Sequence, residues 1–113
     1  LLRCDSKKLE FTDYLHPSRQ VEIDLDIYDG LSLKLSNLYT LTVNNHIVTV
    51  INQTERVGTI KEYQSVKILI DSSSVEVFIN GGELVFTDRV YFKDTPVLSF
   101  NKKMTCQITT LSE

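Results

Sequence analysis

The sequence predicts an all-β protein, two antiparallel sheets packed face to face, and three observations carry that prediction. Apolar and polar residues alternate in about ten short runs, turn-forming residues separate the runs, and no stretch sustains the i, i+3, i+4, i+7 apolar spacing of an amphipathic helix. Strict alternation sends one side of each strand into a core and the other into water.

The elements follow in chain order. The first eight residues, "LLRCDSKK", are polar and aperiodic and read as a linker. "VEIDLDIY" then sets Val21, Ile23, Leu25 and Ile27 against Glu22, Asp24 and Asp26, and "LSLKLS" sets Leu31, Leu33 and Leu35 against Ser32, Lys34 and Ser36. "YTLTV" offers Tyr39, Leu41 and Val43, "HIVTVI" is centred on Val48 and Val50, and "RVGTI" follows. Next come "SVKILI" (Val66, Ile68, Ile70), "SVEVFI" (Val75, Val77, Ile79) and "ELVF" (Leu84, Phe86), with "VLSF" and "MTCQITTL" closing the chain. Asp29-Gly30, Asn44-Asn45, Asp71-Ser72 and Asn80-Gly81-Gly82 supply the positive backbone angles or side-chain caps of tight hairpins. Turn signals roughly every 8–12 residues indicate an antiparallel sandwich, expected here to be jelly-roll or concanavalin-like. Residues 1–113 are expected to form one domain.

Composition narrows the function classes. Hydrophobic residues make up 42% and charged residues 24%, as in a soluble globular domain. The formal net charge of -3 argues against nucleic acid as a partner, because that role needs a basic face to displace counterions. No apolar run approaches the ~20 residues that span a bilayer, so no membrane partner is expected. The chain opens on Leu1 rather than methionine, with no leader pattern, and reads as a piece of a longer protein. Cys4 and Cys106 stand at opposite ends and make neither a disulfide framework nor a zinc site. Two reduced, buried thiols are the expectation, with a bridge between the termini as the alternative. Asn52–Thr54, "NQT", matches a glycosylation triplet that matters only in a secretory setting.

The chemistry-bearing candidates are few. Glu76 and Glu83 lie on one hairpin, with Asp71 and Asp88 just outside it, and paired carboxylates do acid–base work in many hydrolases. With Gly81 and Gly82 at the turn, Ile79 faces Leu84, Val77 faces Phe86, Phe78 faces Val85 and Glu76 faces Thr87. With Asn80 and Gly81 at the turn, Glu76 faces Val85 and Glu83 faces Phe78. Neither register sets Glu76 opposite an acid, whereas a retaining glycosidase holds two carboxyl groups about 5–5.5 Å apart. These acids are therefore read as solvated, with no catalytic residue among them. His16, before Pro17, and His46, after an Asn-Asn turn, read as isolated surface histidines, and neither metal nor cofactor is expected. No phosphate-cradling loop or nucleophile elbow occurs. Tyr14, Tyr28, Tyr39, Tyr63 and Tyr91 are dispersed rather than grouped as in an aromatic sugar-binding platform.

One feature breaks the alternation. The face opposite Val77 and Ile79 also carries Leu69, Phe78 and Val85, where a free-standing antiparallel sheet has polar residues. Leaving each wet costs about 1.5–3 kcal/mol, so the three are expected to form an interdomain or dimer face.

The stretch "SVKILIDSSSVEVFINGGELVFTDRVYF", residues 65 to 92, resembles the signature of the C-terminal domain of glycoside hydrolase family 32. The matching positions are Asp71, Ser73, Ser74, Glu76, Phe78, Asn80, Gly82, Thr87 and Arg89, and the chain from "RQVEIDLDIY" onward is similar more loosely. It departs from the family at "VTVINQTERVG", where a Leu-Asp-Arg-Ser-like segment is usual, and at Lys93, where proline is usual.

The resemblance implies a parent enzyme that is a retaining β-fructofuranosidase acting on sucrose or sucrose 6-phosphate. In that family the catalytic acids lie in an N-terminal five-bladed propeller, within Trp-Met-Asn-Asp-Pro-Asn-Gly, Arg-Asp-Pro and Glu-Cys motifs, none of which occurs here. It thus implies a non-catalytic, stabilising accessory domain whose partner is the propeller of the same protein, in a cytoplasmic bacterial enzyme. Asp71, Ser74, Glu76, Phe78, Asn80, Gly82, Thr87 and Arg89 are then structural. Two alternatives stand beside this one. A fructan-binding module would hold a fructoside ligand in a groove lined by at least two tyrosines. A dimerisation domain would form a homodimer through Leu69, Phe78 and Val85.

Overall fold

The structure, a computed structural model, describes residues 2–112, apart from the side chains of Leu2 and Cys4. The described residues form ten strands: β1 (Leu2–Leu15), β2 (Gln20–Asp26), β3 (Ser32–Leu35), β4 (Tyr39–Asn44), β5 (Ile47–Asn52), β6 (Thr54–Thr59), β7 (Ser65–Asp71), β8 (Ser74–Ile79), β9 (Leu84–Arg89) and β10 (Val97–Ser112). Pairing is antiparallel and runs β6-β5-β4-β3-β10-β2-β7-β8-β9, with β1 on β10.

One path makes two layers because β10 belongs to both. It pairs with β3 at Leu98–Phe100 and with β2 at Gln107–Thr110, and Asn101, Lys102 and Lys103 between them are exposed. β1 follows β10 along both stretches, with register shifts between Arg3 and Asp5 and between Phe11 and Asp13. The alternating residues meet inside. Val21, Ile23, Val66, Ile68, Ile70, Val75, Val77 and Ile79 come from one layer, and Leu33, Leu35, Tyr39, Leu41, Val43, Val48 and Val50 from the other. Each contributes about 1.5–3 kcal/mol by leaving water. The sandwich expected from the alternation is the one observed.

The free edges of the layers, β6 and β9, are latched together. Arg56 pairs with Asp88, Asn52 Nδ2 donates to the Arg89 carbonyl at 2.9 Å, and Arg56 lies 5.6 Å over the Phe86 ring. Gly58 makes room there: a Cβ on it would sit 2.5 Å from a Leu84 methyl. The Tyr39 hydroxyl is buried close by, and burial, then the Asp88 charge, pushes its pKa up.

Three sequence expectations need correction. Residues 2–8 are not a linker but the start of β1. That strand pairs on one side only and is exposed along most of both faces, so no period-two pattern is imposed on it. "VLSF" and "MTCQITTL" are one strand, β10, that passes from layer to layer. His16 is buried rather than exposed, its ring nitrogens 3.0 Å from the Tyr14 hydroxyl and 3.3 Å from Thr110 Oγ1. His46 is exposed as expected, at φ 65° in the tight Asn45-His46 turn.

Candidate functional site

The hairpin that carries the family-like residues takes the first of the two expected registers. Ile79 pairs with Leu84, Val77 with Phe86, Phe78 with Val85 and Glu76 with Thr87. Glu76 faces Leu69 on its other side, so no acid opposes it. The turn bends through Asn80, Gly81 and Gly82, all at positive φ, which glycine adopts without a Cβ penalty and asparagine tolerates. Asn80 pins this turn to the loop before β7. Its Oδ1 accepts from the Gln64 and Ser65 amides at 3.0 and 3.1 Å, and its Nδ2 donates to the Glu62 carbonyl and Glu83 Oε1, both at 2.8 Å. Glu83 Oε2 accepts from the Lys61 amide at 3.0 Å, and the Asn80 hydrogen bond, then that amide, hold its carboxyl below the ordinary value.

The other motif residues close the opposite end of the same strands. Gln20, Asp71, Ser74 and Arg89 align across β2, β7, β8 and β9. Gln20 Nε2 donates to Asp71 Oδ1 at 3.1 Å, and Arg89 Nη1 donates to Ser73 Oγ at 3.1 Å. Thr87 and Gly82 complete the set, one in the β8–β9 ladder and one in the turn. These side chains hold turns and strand ends in place.

A second constellation lies between those two ends, on the outer face of the same layer. Two registered rows cross it: Thr109, Glu22, Leu69, Glu76 and Thr87, then Gln107, Asp24, Lys67, Phe78 and Val85. Their central members, Glu22, Leu69, Asp24, Lys67 and Phe78, floor a groove of about 510 Å³ lined also by Arg3, Ser65 and Gly81. Glu22 is only 3% exposed. Arg3 Nη2 donates to its Oε1 at 2.6 Å, although the arginine side chain itself is 62% exposed. Burial and the neighbouring Glu22 carboxyl raise the Asp24 pKa to about 6, against the opposing pull of Lys67 and Arg3.

Leu69, Phe78 and Val85 do cluster here. Leu69 and Phe78 are half-buried in the groove wall, and Val85, 46% exposed, stands beside Phe78 on the next strand. Sequence reading had placed Glu22 and Asp24 in open water and had no strand for Arg3. The missing knowledge was strand order, which sets β2 between β10 and β7.

The outer face of the other layer is different. Thr40, Thr42 and Thr49 point outward with Ile47, Ile51 and Val57, which are 41%, 44% and 58% exposed. Val57 opposes Thr49, so it lies diagonal to both isoleucines and the three make a patch. The tyrosines form no platform: Tyr39 is buried, Tyr14, Tyr28 and Tyr63 are half-buried on separate segments, and Tyr91 is exposed. Cys106 is buried, which pushes its thiol up to about 12; Cys4 lies outside the described side chains. Among the described residues, no three His, Cys, Asp or Glu side chains converge on a metal-sized site.

Comparison with known proteins agrees with the hairpin. The family model described as glycosyl hydrolases family 32 C terminal matches residues 31–112. Among solved structures, sheep galectin-11 in complex with glycerol is similar in fold, with a TM-score of 0.52 at 11% identity, covering 98% of this chain and 99% of that one. No curated protein matches the chain.

Proposed function

The chain belongs to the family of C-terminal domains of glycosyl hydrolases of family 32, and on that premise we propose that it is the non-catalytic sandwich of a retaining β-fructofuranosidase. In this reading the parent enzyme cleaves sucrose or sucrose 6-phosphate with acids that lie in an N-terminal propeller of the same protein. The sandwich stabilises that propeller by covering apolar surface.

The observation that supports the reading is the use made of the motif. Asn80, Asp71 and Arg89 are held in hydrogen bonds that fix turns and strand ends rather than aimed at a cavity. The surface offered to the propeller in this reading is the Ile47, Ile51 and Val57 patch, the wetter of the two apolar patches, in place of the Leu69, Phe78 and Val85 face expected from the sequence. The test is direct: purified chain incubated with sucrose and with sucrose 6-phosphate releases no fructose. Turnover that survives repurification overturns the reading.

The groove acids do not offer a competing hydrolase. Glu22 and Asp24 are two residues apart on one strand and so project from the same face. Both would approach a bound glycoside from one side, whereas glycosidic cleavage needs carboxyl groups flanking the scissile bond.

A further inference from the structure

We propose that the groove over β2, β7 and β8 is a binding site for a neutral, polyhydroxylated ligand about the size of one sugar ring. In it, Glu22 and Asp24 accept hydroxyl protons, Arg3 and Lys67 donate to ring or hydroxyl oxygens, and Phe78 packs against the C–H face. The inference goes beyond the accessory role and stands independently of the parent enzyme's substrate.

Four features of the groove select that chemistry. Its volume, about 510 Å³, lies in the range of small-molecule sites. Its charge is balanced, two carboxylates against one guanidinium and one ammonium, so it favours neither an anion nor a cation. A hydroxyl ligand suits such a lining because each O–H can both donate and accept, and paired carboxylates and cations each engage neighbouring hydroxyls. Part of the wall is apolar: Leu69 and Phe78 sit diagonally on adjacent strands, where they can meet a sugar's C–H face.

The fourth feature is the burial of Glu22. A solvated outer-face carboxylate would be largely exposed, yet this one is 3% exposed and is paired with an arginine that stays mostly in water. The exposed guanidinium of Arg3 donates one N–H to Glu22 Oε1 and has others to turn toward a ligand, so the buried carboxylate keeps its partner. Asp24, with a pKa near 6, carries its proton for part of the time near neutrality and can then donate as well as accept. Ser65, at the end of the groove beside Gly81, adds a further hydroxyl to the lining.

The experiment is a titration of the ¹⁵N-labelled chain with D-fructose, D-glucose and glycerol, read by amide shifts, with the zwitterion glycine as comparator. The expected result is saturable shifts on residues 22, 24, 65, 67, 69, 78 and 81, larger for the ring sugars than for glycerol. Lys67→Gln and Glu22→Gln should each weaken binding by about tenfold, the loss of one hydrogen bond to a charged group, while the amide spectrum away from the groove stays unchanged. Phe78→Leu, which keeps an apolar side chain, should weaken the ring sugars but not glycerol. Absence of saturable shifts, shifts centred on other residues, or binding of glycine in preference to the sugars would overturn the proposal.

Discussion

The two outer faces of this sandwich are built on the same inner plan and diverge completely on the outside. Inward, β2, β7 and β8 present valine, isoleucine and one leucine at every second position, as β4 and β5 present leucine, valine and one tyrosine. Outward, the first layer gathers Glu22, Asp24, Lys67 and, by way of β1, Arg3 around Leu69 and Phe78. The second offers small hydroxyls and three bare aliphatics, Ile47, Ile51 and Val57, with Lys34 and Glu55 at the two ends of one row. Core formation constrains only one side of each strand. The other side is free to be specified by what it meets, which makes the outer faces the place to look for function.

The largest expected effect comes from breaking the latch that keeps the two layers in place. Asp88→Ala removes the charge partner of Arg56 and the buried neighbour of Tyr39. It should cost about 3 kcal/mol, the lower end for a broken buried pair, because Arg56 keeps part of its side chain in water. Urea unfolding followed by circular dichroism checks it. Asn80→Ala should cost about 2 kcal/mol, by losing four side-chain hydrogen bonds and a residue tolerant of positive φ. Asn80→Gly, which restores the backbone freedom alone, should recover only a part of that.

The faces themselves should separate in a direct contrast. Glu22→Gln on the first face should cost about 1 kcal/mol, because it removes the charge from the buried partner of Arg3. Val57→Thr on the second should stay within about 0.5 kcal/mol in this chain, as at an ordinary surface site. In the parent enzyme the same Val57→Thr change should lower the melting temperature, if that patch is covered there. Equal effects of the two substitutions in the isolated chain would erase the distinction between the faces.

The smallest effects are in pH dependence, where one buried and one half-buried group pull in opposite directions. Burial lowers the His16 pKa below 6.5, so its neutral form belongs to the folded state. Its contribution is complete above pH 6.5 and is lost as pH falls from there through the folded value. Asp24 has a folded pKa raised to about 6 from 3.8, so its contribution is complete below 3.8 and is lost as pH rises toward 6. His16→Gln should therefore remove the loss of stability that begins near pH 6.5, and Asp24→Asn should steepen the acid-side loss by removing the opposing gain. Chemical denaturation at a series of pH values reads both slopes.

How much of this was legible beforehand follows from which side of a strand a residue occupies. Val21, Ile23, Ile68, Val77 and Leu41 announced themselves because alternation reports burial directly, and the Asn80-Gly81-Gly82 turn narrowed the register of β8 on β9 to two, of which the structure takes one. Glu22 and Asp24 were read as solvated because alternation cannot say which strand lies beside β2. Arg3 was invisible as a site residue because the start of β1, exposed from Asp5 to Lys8, carries no period. His16 was misjudged because the residue before a proline reads as a turn, and only the long β10 brings Thr110 over it.

The measurement that bears most directly on the assignment of the two faces is amide hydrogen exchange, comparing this chain alone with the parent enzyme that contains it. Protection gained on Ile47–Asn52 and Thr54–Thr59, with Gln20–Asp26 and Ser65–Asp71 unchanged, is the predicted pattern: a covered apolar face and an open groove. Protection confined to the groove strands, or no difference between the two samples, would contradict it.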